Sequence, residues 1–152
     1  MASKLVHLFA TIGAISAITL VGCSNKKAED AVALRKTMLK KVGQAYLSFS
    51  KEKQRSPSNI EELAAFIDQA SDDPKPTAPA QRLREGDIIM HWNSSLESAK
   101  GNESRFVLGF EPSVLQTGGY IITVEGNVVL VTGKTFIQYK TPQKAVSEKP
   151  AA

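Results

Sequence analysis

Cys23 is the only thiol in the chain, and it stands directly after Gly22 at the end of an uncharged apolar stretch. A lone cysteine there is the first candidate for covalent chemistry, and being single it leaves no disulfide within the chain. The domain must then fold on its core alone. Other groups that could do chemistry are sparse. Beyond residue 22, His91 is the sole histidine, and a Ser-His-Asp arrangement would have to use it, yet there is no Gly-x-Ser-x-Gly elbow. Metal-ligand spacing, a phosphate loop and a dinucleotide fingerprint are also missing. Asp72 and Asp73 fall in a Pro-rich loop and read as a solubilising turn. The expectation is therefore no catalytic residues, no metal site and no enzyme activity. A hydrolase using His91 and nearby carboxylates comes last among the function classes.

The residues before Cys23 explain why it stands there. Met1 to His7 carries Lys4 and no acid, and Leu8 to Val21 is a 14-residue run without charge. A spanning helix needs about 20 apolar residues, so the run reads as the hydrophobic region of a secretory signal. Gly22 supplies the small residue a signal peptidase requires, and Ser24, Asn25, Lys26 and Lys27 make a polar spacer. Leu20-Val21-Gly22-Cys23 thus resembles the bacterial lipoprotein signal. That resemblance implies cleavage between Gly22 and Cys23 and alkylation of the Cys23 thiol by a diacylglyceryl group. The covalent lipid is the only non-protein group expected. Two or three acyl chains make attachment effectively permanent, since each buried methylene contributes about 0.8 kcal/mol. An incidental cysteine in an ordinary signal peptide and a short uncleaved helix are the rival readings. Ser24 resembles the residue that lets lipoproteins leave the inner membrane, so the expected address is extracytoplasmic, with the outer membrane ahead of the inner.

The positions that carry chemistry must be held by a small domain. Residues 1–22 read as signal, 23–29 as lipidated cysteine and tether, 30–140 as one domain and 141–152 as a disordered tail. From Glu29 to about Lys51, Ala31, Leu34, Met38, Val42, Ala45 and Phe49 recur at helical spacing, widened by Leu39 and Tyr46. Gly43 is an interior flaw in this helix costing about 1 kcal/mol relative to Ala, and it reads either as room for a close approach of another element or as neutral. Ser56-Pro57 breaks the chain. Ser58-Asn59-Ile60-Glu61 has a capping-box pattern that opens a second helix to about Gln69, with Ile60, Leu63, Ala64 and Ile67 on one face. Residues 71–80 read as loop, and Gln81 to Glu85 as a turn of helix.

Alternation then marks strands. Asp87 to Asn93 sets Ile88, Met90 and Trp92 against Ile89, His91 and Asn93; Arg105 to Glu111 alternates through Phe106, Leu108 and Phe110. Tyr120 to Glu125 and Val128 to Thr132 flank Gly126-Asn127, a two-residue hairpin link. Gly133 to Tyr139 closes with a turn or a short strand. Helices first and strands after give an α+β fold, a long helix and a short helix packed on about four antiparallel strands. Trp92 reads first as core beside Ile88 and Met90 and second as a partner anchor. His91, on a partly exposed face, is the other candidate partner contact.

Charge narrows the partners. The formal charge is +4, and it falls to +3 when residues 1–22, which hold Lys4 and no acid, are removed. Both signs are interspersed, so no nucleic-acid partner is expected. Arg35, Lys36, Lys40 and Lys41 form the one basic cluster. It reads as a solvated helix face, or as a contact with anionic lipid headgroups.

A second resemblance covers roughly residues 30–138. Leu39-Lys40-Lys41-Val42-Gly43-Gln44-Ala45-Tyr46, then Ser56-Pro57-Ser58-Asn59-Ile60-Glu61-Glu62-Leu63, then Val107-Leu108-Gly109-Phe110-Glu111 with Gly118-Gly119 and Glu125-Gly126-Asn127-Val128, are similar to type II secretion pseudopilin-like proteins. The likeness implies an assembly role. Three departures matter. The lipoprotein-like signal replaces the hydrophobic helix through which pilin subunits stack. Glu125 stands where that family places Asp, and Leu115 where some members have His ten residues earlier. No dense carboxylate loop matches the calcium site of major pseudopilins. The function expected is thus a lipid-anchored, non-enzymatic protein acting by protein contacts in cell-envelope or type II secretion-related assembly. The alternative is a membrane-tethered small-ligand-binding module. An exposed apolar patch or open sheet edge favours the first, and a concave pocket with convergent polar groups the second.

Overall fold

The computed structural model describes residues 22–71 and 77–144, with side chains from Lys26 onward. The signal stretch 1–21, the Cys23 side chain, Asp72, Asp73 and residues 145–152 lie outside the described residues. The chain divides into two units, up to Val32 and from Ala33 onward. The described part of the first is the opening of helix α1, Gly22–Lys53. The rest of α1 and all the other elements belong to the second.

Helix α1 begins before the expected Glu29 because nothing from Gly22 on breaks it. Its buried stripe is Leu39, Val42, Tyr46 and Phe49, while Met38 and Ala45 are half-buried. The expected stripe fails at its start, for Ala31 and Leu34 are exposed. The helix stops where Gln54 turns left-handed (φ 55°). The Gln54 amide nitrogen, Nε2, donates to the Lys51 carbonyl at 2.7 Å, and Lys51 and Lys53 sit favourably at the dipole's negative end.

Helix α2 spans Ile60–Gln69. Its cap lies one residue later than expected. Asn59 accepts from the Glu62 backbone N–H at 2.9 Å, and Glu62, not Glu61, reaches back to the Ser58 N–H at 2.7 Å. Asn caps as well as Ser, and Asn59 also has a glutamate three residues on. Helix α3, Ala78–Arg84, starts earlier than the expected Gln81 because Pro79 is accommodated in a first turn, and Thr77 is tied to the Asp68 carboxylate at 2.7 Å.

Glu62 gives α2 a pH dependence. Arg55 donates to it through two guanidinium nitrogens, and the Ser58 N–H and hydroxyl add to the hold. These hydrogen bonds, Arg55's first, lower its carboxyl from 4.5 to about 2. The folded value lies below the unfolded one. The stabilisation is therefore complete above about pH 5 and is lost as pH falls towards the folded value. Glu62→Gln is expected to shrink the stability difference between neutral and acid urea melts; an unchanged difference would refute the coupling.

The sheet is a four-stranded antiparallel meander in the order β1-β2-β3-β4. Its strands are β1 Ile89–Met90, β2 Val107–Phe110, β3 Gly119–Thr123 and β4 Val128–Val131. The fold is α+β, as the order of elements implied. Strand β1 is much shorter than Asp87–Asn93, because Asn93 adopts φ 55° and turns the chain away. A bulge separates the pairs Val107↔Thr123 and Gly109↔Ile122. It defeats the alternation expected through Phe106, Leu108 and Phe110: Leu108 joins the core beneath the helices, while Phe110 faces the opposite core.

The β3–β4 link also differs from expectation. Gly126 N–H donates to Thr123 O at 2.8 Å and the Asn127 carbonyl accepts from Thr123 N–H at 2.9 Å. Val124 and Glu125 are thus the central turn residues, and Gly126 (φ 79°) takes the left-handed position after them. The last segment is a one-turn helix α4, Gly133–Phe136, capped by Thr132 with Thr135. Residues 141–144, read from sequence as the start of the tail, are instead laid along Ser94 and Ser95. Gln143 O accepts from Ser95 N–H at 2.7 Å, and Pro142 is buried.

Both sheet faces are buried. One carries Leu39, Val42, Tyr46, Leu63, Leu83, Ile88, Met90, Leu108 and Ile122 beneath the helices. The other is a smaller core of Val107, Phe110, Val114, Ile121 and Val131, closed by Val129, Phe136 and Tyr139.

Candidate functional site

The sequence-derived contact residues meet at one corner of the domain. Trp92 is half-buried and packs against the main core, as its strand-mates Ile88 and Met90 implied. His91 points the other way, with its ring 5.8 Å from that of Phe110. The corner is held by backbone. The His91 carbonyl accepts from the Tyr46 hydroxyl and from the Ser94 hydroxyl, each at 2.9 Å. Asn93 N–H donates to Pro57 O at 3.0 Å. His91 and Trp92 line a cavity of about 490 Å³ with Ser58, Asn93, Thr141 and Lys144. Among the described residues the buried imidazole Nε2 has no partner, and burial lowers the His91 pKa. The cavity thus brings together an imidazole, an indole and an ammonium. Among the described residues no cluster of three or more His, Cys, Asp or Glu could hold a metal.

The basic cluster does not act as a unit. Arg35 is taken up by Glu111: its Nε and Nη2 donate to the two carboxylate oxygens at 3.0 and 2.8 Å. Lys36, Lys40 and Lys41 remain exposed.

Two features went unread in the sequence. One is a surface groove lined by Val114, Leu115, Phe136, Ile137 and Tyr139, with Leu115 61% and Ile137 82% exposed. It lies where α4 follows β4, which among the described residues pairs with β3 alone and carries the exposed Leu130. A lone surface leucine is ordinary; paired apolar side chains over a groove make a larger exposed apolar patch.

The other is a polar cavity of about 440 Å³ at the open end of the smaller core, lined by Ser104, Arg105, Thr123, Glu125, Asn127, Val129, Gln138 and Tyr139. Thr123 is 1% exposed, and among the described residues its Oγ1 has no partner. Leaving such a hydroxyl unsatisfied costs about 1–3 kcal/mol. Thr123→Val, which keeps the shape and the strand preference, is expected to stabilise the fold by about 1 kcal/mol in urea unfolding. A destabilised variant would mean that the hydroxyl is satisfied in solution.

No protein-family model matches the chain, and neither a curated protein nor a solved structure matches it. No described helix is long and apolar enough to cross a membrane.

Proposed function

We propose that this chain is a lipid-anchored extracytoplasmic protein whose α+β domain works by protein contact, in cell-envelope or type II secretion-related assembly. The observation that carries the contact role is the apolar groove under Leu115 and Ile137, set beside an edge of β4 that is unpaired among the described residues. The address rests on Leu20-Val21-Gly22-Cys23, with Ser24 favouring the outer membrane. The assembly context rests on the pseudopilin-like motifs, and loss of the stacking helix leaves a tethered surface rather than a filament subunit. Cys23→Ala is expected to leave the precursor unlipidated and to move the domain from membrane to soluble fractions; unchanged membrane attachment would sink the anchor. A photo-cross-linker at Ile137, compared with one at Lys100 in intact cells, tests the contact. One adduct of constant mass at Ile137 alone is expected. No adduct, or equal adducts at both sites, would remove the surface. The ligand-binding alternative is favoured by the polar cavity.

A further inference from the structure

We infer that the cavity between Arg105, Glu125 and Tyr139 binds a small sugar acid, a hydroxyl-rich ring bearing one carboxylate. Its walls come from distant parts of the chain: Ser104 and Arg105 ahead of β2, Thr123 at the end of β3, Glu125 and Asn127 in the hairpin, Val129 of β4, and Gln138 and Tyr139 after α4. Backbone hydrogen bonds fix them. Lys140 N–H donates to Arg105 O at 2.9 Å, Val107 N–H to Lys140 O at 2.8 Å, and Val124 N–H to Phe106 O at 2.9 Å. The cavity is therefore preformed, and its size falls within the range of about 300–1,000 Å³ usual for small-molecule sites.

The chemistry of the walls selects the ligand. Among the described residues, the side chains of Ser104, Arg105, Thr123, Gln138 and Tyr139 make no hydrogen bond, so the wall offers a guanidinium, an amide and the hydroxyls of Ser104 and Tyr139, with the Thr123 hydroxyl buried behind them. Asn127 Nδ2 donates to Glu125 Oε2 at 2.7 Å, and these two satisfy each other in part. The Arg105 guanidinium is a donor only, which calls for an acceptor on the ligand aimed at it, while the hydroxyls and amides can donate to or accept from ligand hydroxyls. Among the described residues Arg105 is the single cation of the wall, and its planar fork matches a carboxylate. Glu125 stands in the same wall and repels any anion away from Arg105, a doubly charged sugar phosphate about twice as strongly as a singly charged carboxylate, which disfavours the phosphate. Val129 and the Tyr139 ring add apolar surface for the C–H face of a pyranose. The site shares Tyr139 with the apolar groove but does not depend on the contact role.

The full lipidated chain in detergent micelles, titrated with glucuronate, glucose and glucose 6-phosphate and followed by amide NMR, tests the assignment. Glucuronate is expected to give saturable shifts confined to residues 104–105, 123–129 and 138–139. Glucose and glucose 6-phosphate are each expected to bind about tenfold more weakly. Arg105→Gln, at an exposed position, is expected to preserve the spectrum and weaken glucuronate about tenfold; Tyr139→Phe, which keeps the ring, is expected to weaken it by a smaller factor. Absence of saturable shifts would mean a water-filled cleft and would overturn the site. Equal binding of glucose, tighter binding of the phosphate, or an Arg105→Gln variant that binds as well as the parent would overturn the ligand class.

Discussion

Arg35→Met is expected to lower folding stability by about 2–3 kcal/mol, more than a surface ion pair would account for. Glu111 is the reason. Its side chain is 9% exposed, and it accepts from Arg35 and from the Tyr120 backbone N–H at 2.9 Å. Removing the guanidinium leaves a buried carboxylate held by one N–H. Removing the carboxylate is milder, because Arg35 is 42% exposed and can return to water. Glu111→Met is therefore expected to cost about half as much, chiefly through the orphaned Tyr120 N–H. The asymmetry is the test. Urea melts in which Glu111→Met is the worse variant would contradict it, as would a loss below about 1 kcal/mol for Arg35→Met. Arg35→Lys is expected to restore only part of the loss, since an ammonium cannot reproduce the two-nitrogen grip. The pair ties α1 to the turn after β2, whose Val114 and Leu115 line the apolar groove. Loosening it is expected to weaken cross-linking from Ile137 as well.

That ion pair also shows what could be read from the sequence. Arg35 and Glu111 are 76 residues apart, and nothing local marks either as half of a pair. Arg35 instead looked like one member of a basic helix face. Local signals did better. The stripe of α1, the apolar face of α2 and the alternation of Ile88, Met90 and Trp92 are period effects written in neighbouring residues, and they placed the helices and the first strand. The failures have physical causes. Val107-Leu108-Gly109-Phe110 carries no mark of the extra residue at Leu108, because a bulge is set by pairing with β3. Glu125-Gly126-Asn127 fits a two-residue link or a glycine one place after a turn, and only the Thr123–Gly126 bond decides. The polar cavity was illegible for the same reason as the ion pair. Its walls come from separate stretches, and no motif joins them.

Gly43→Ala is expected to destabilise the domain by about 1–3 kcal/mol, reversing the gain that helix propensity alone would give. A Cβ at Gly43 would stand 2.6 Å from Cγ2 of Ile122, closer than a methyl group can be accommodated. Ile122 cannot retreat easily. It is fully buried at the centre of the main core, on a strand paired on both sides. Something larger must move, and the cheapest movement is a tilt of α1 away from the sheet. Gly43 lies eight residues after Arg35, about 12 Å along the helix axis, so the same tilt also lengthens the Arg35–Glu111 hydrogen bonds. A double-mutant cycle separates the causes. Ile122→Ala alone is expected to cost about 2–5 kcal/mol as a cavity, and adding Gly43→Ala to it is expected to cost little or to recover stability, because the offending Cγ2 is gone. Strictly additive losses would mean that the methyl added at Gly43 acts away from Ile122. A stabilised single variant would mean that helix and sheet do not meet as closely as 2.6 Å implies. The residue that looked like a flaw in the longest helix is on this account what lets that helix lie close enough to the sheet for Arg35 to reach Glu111.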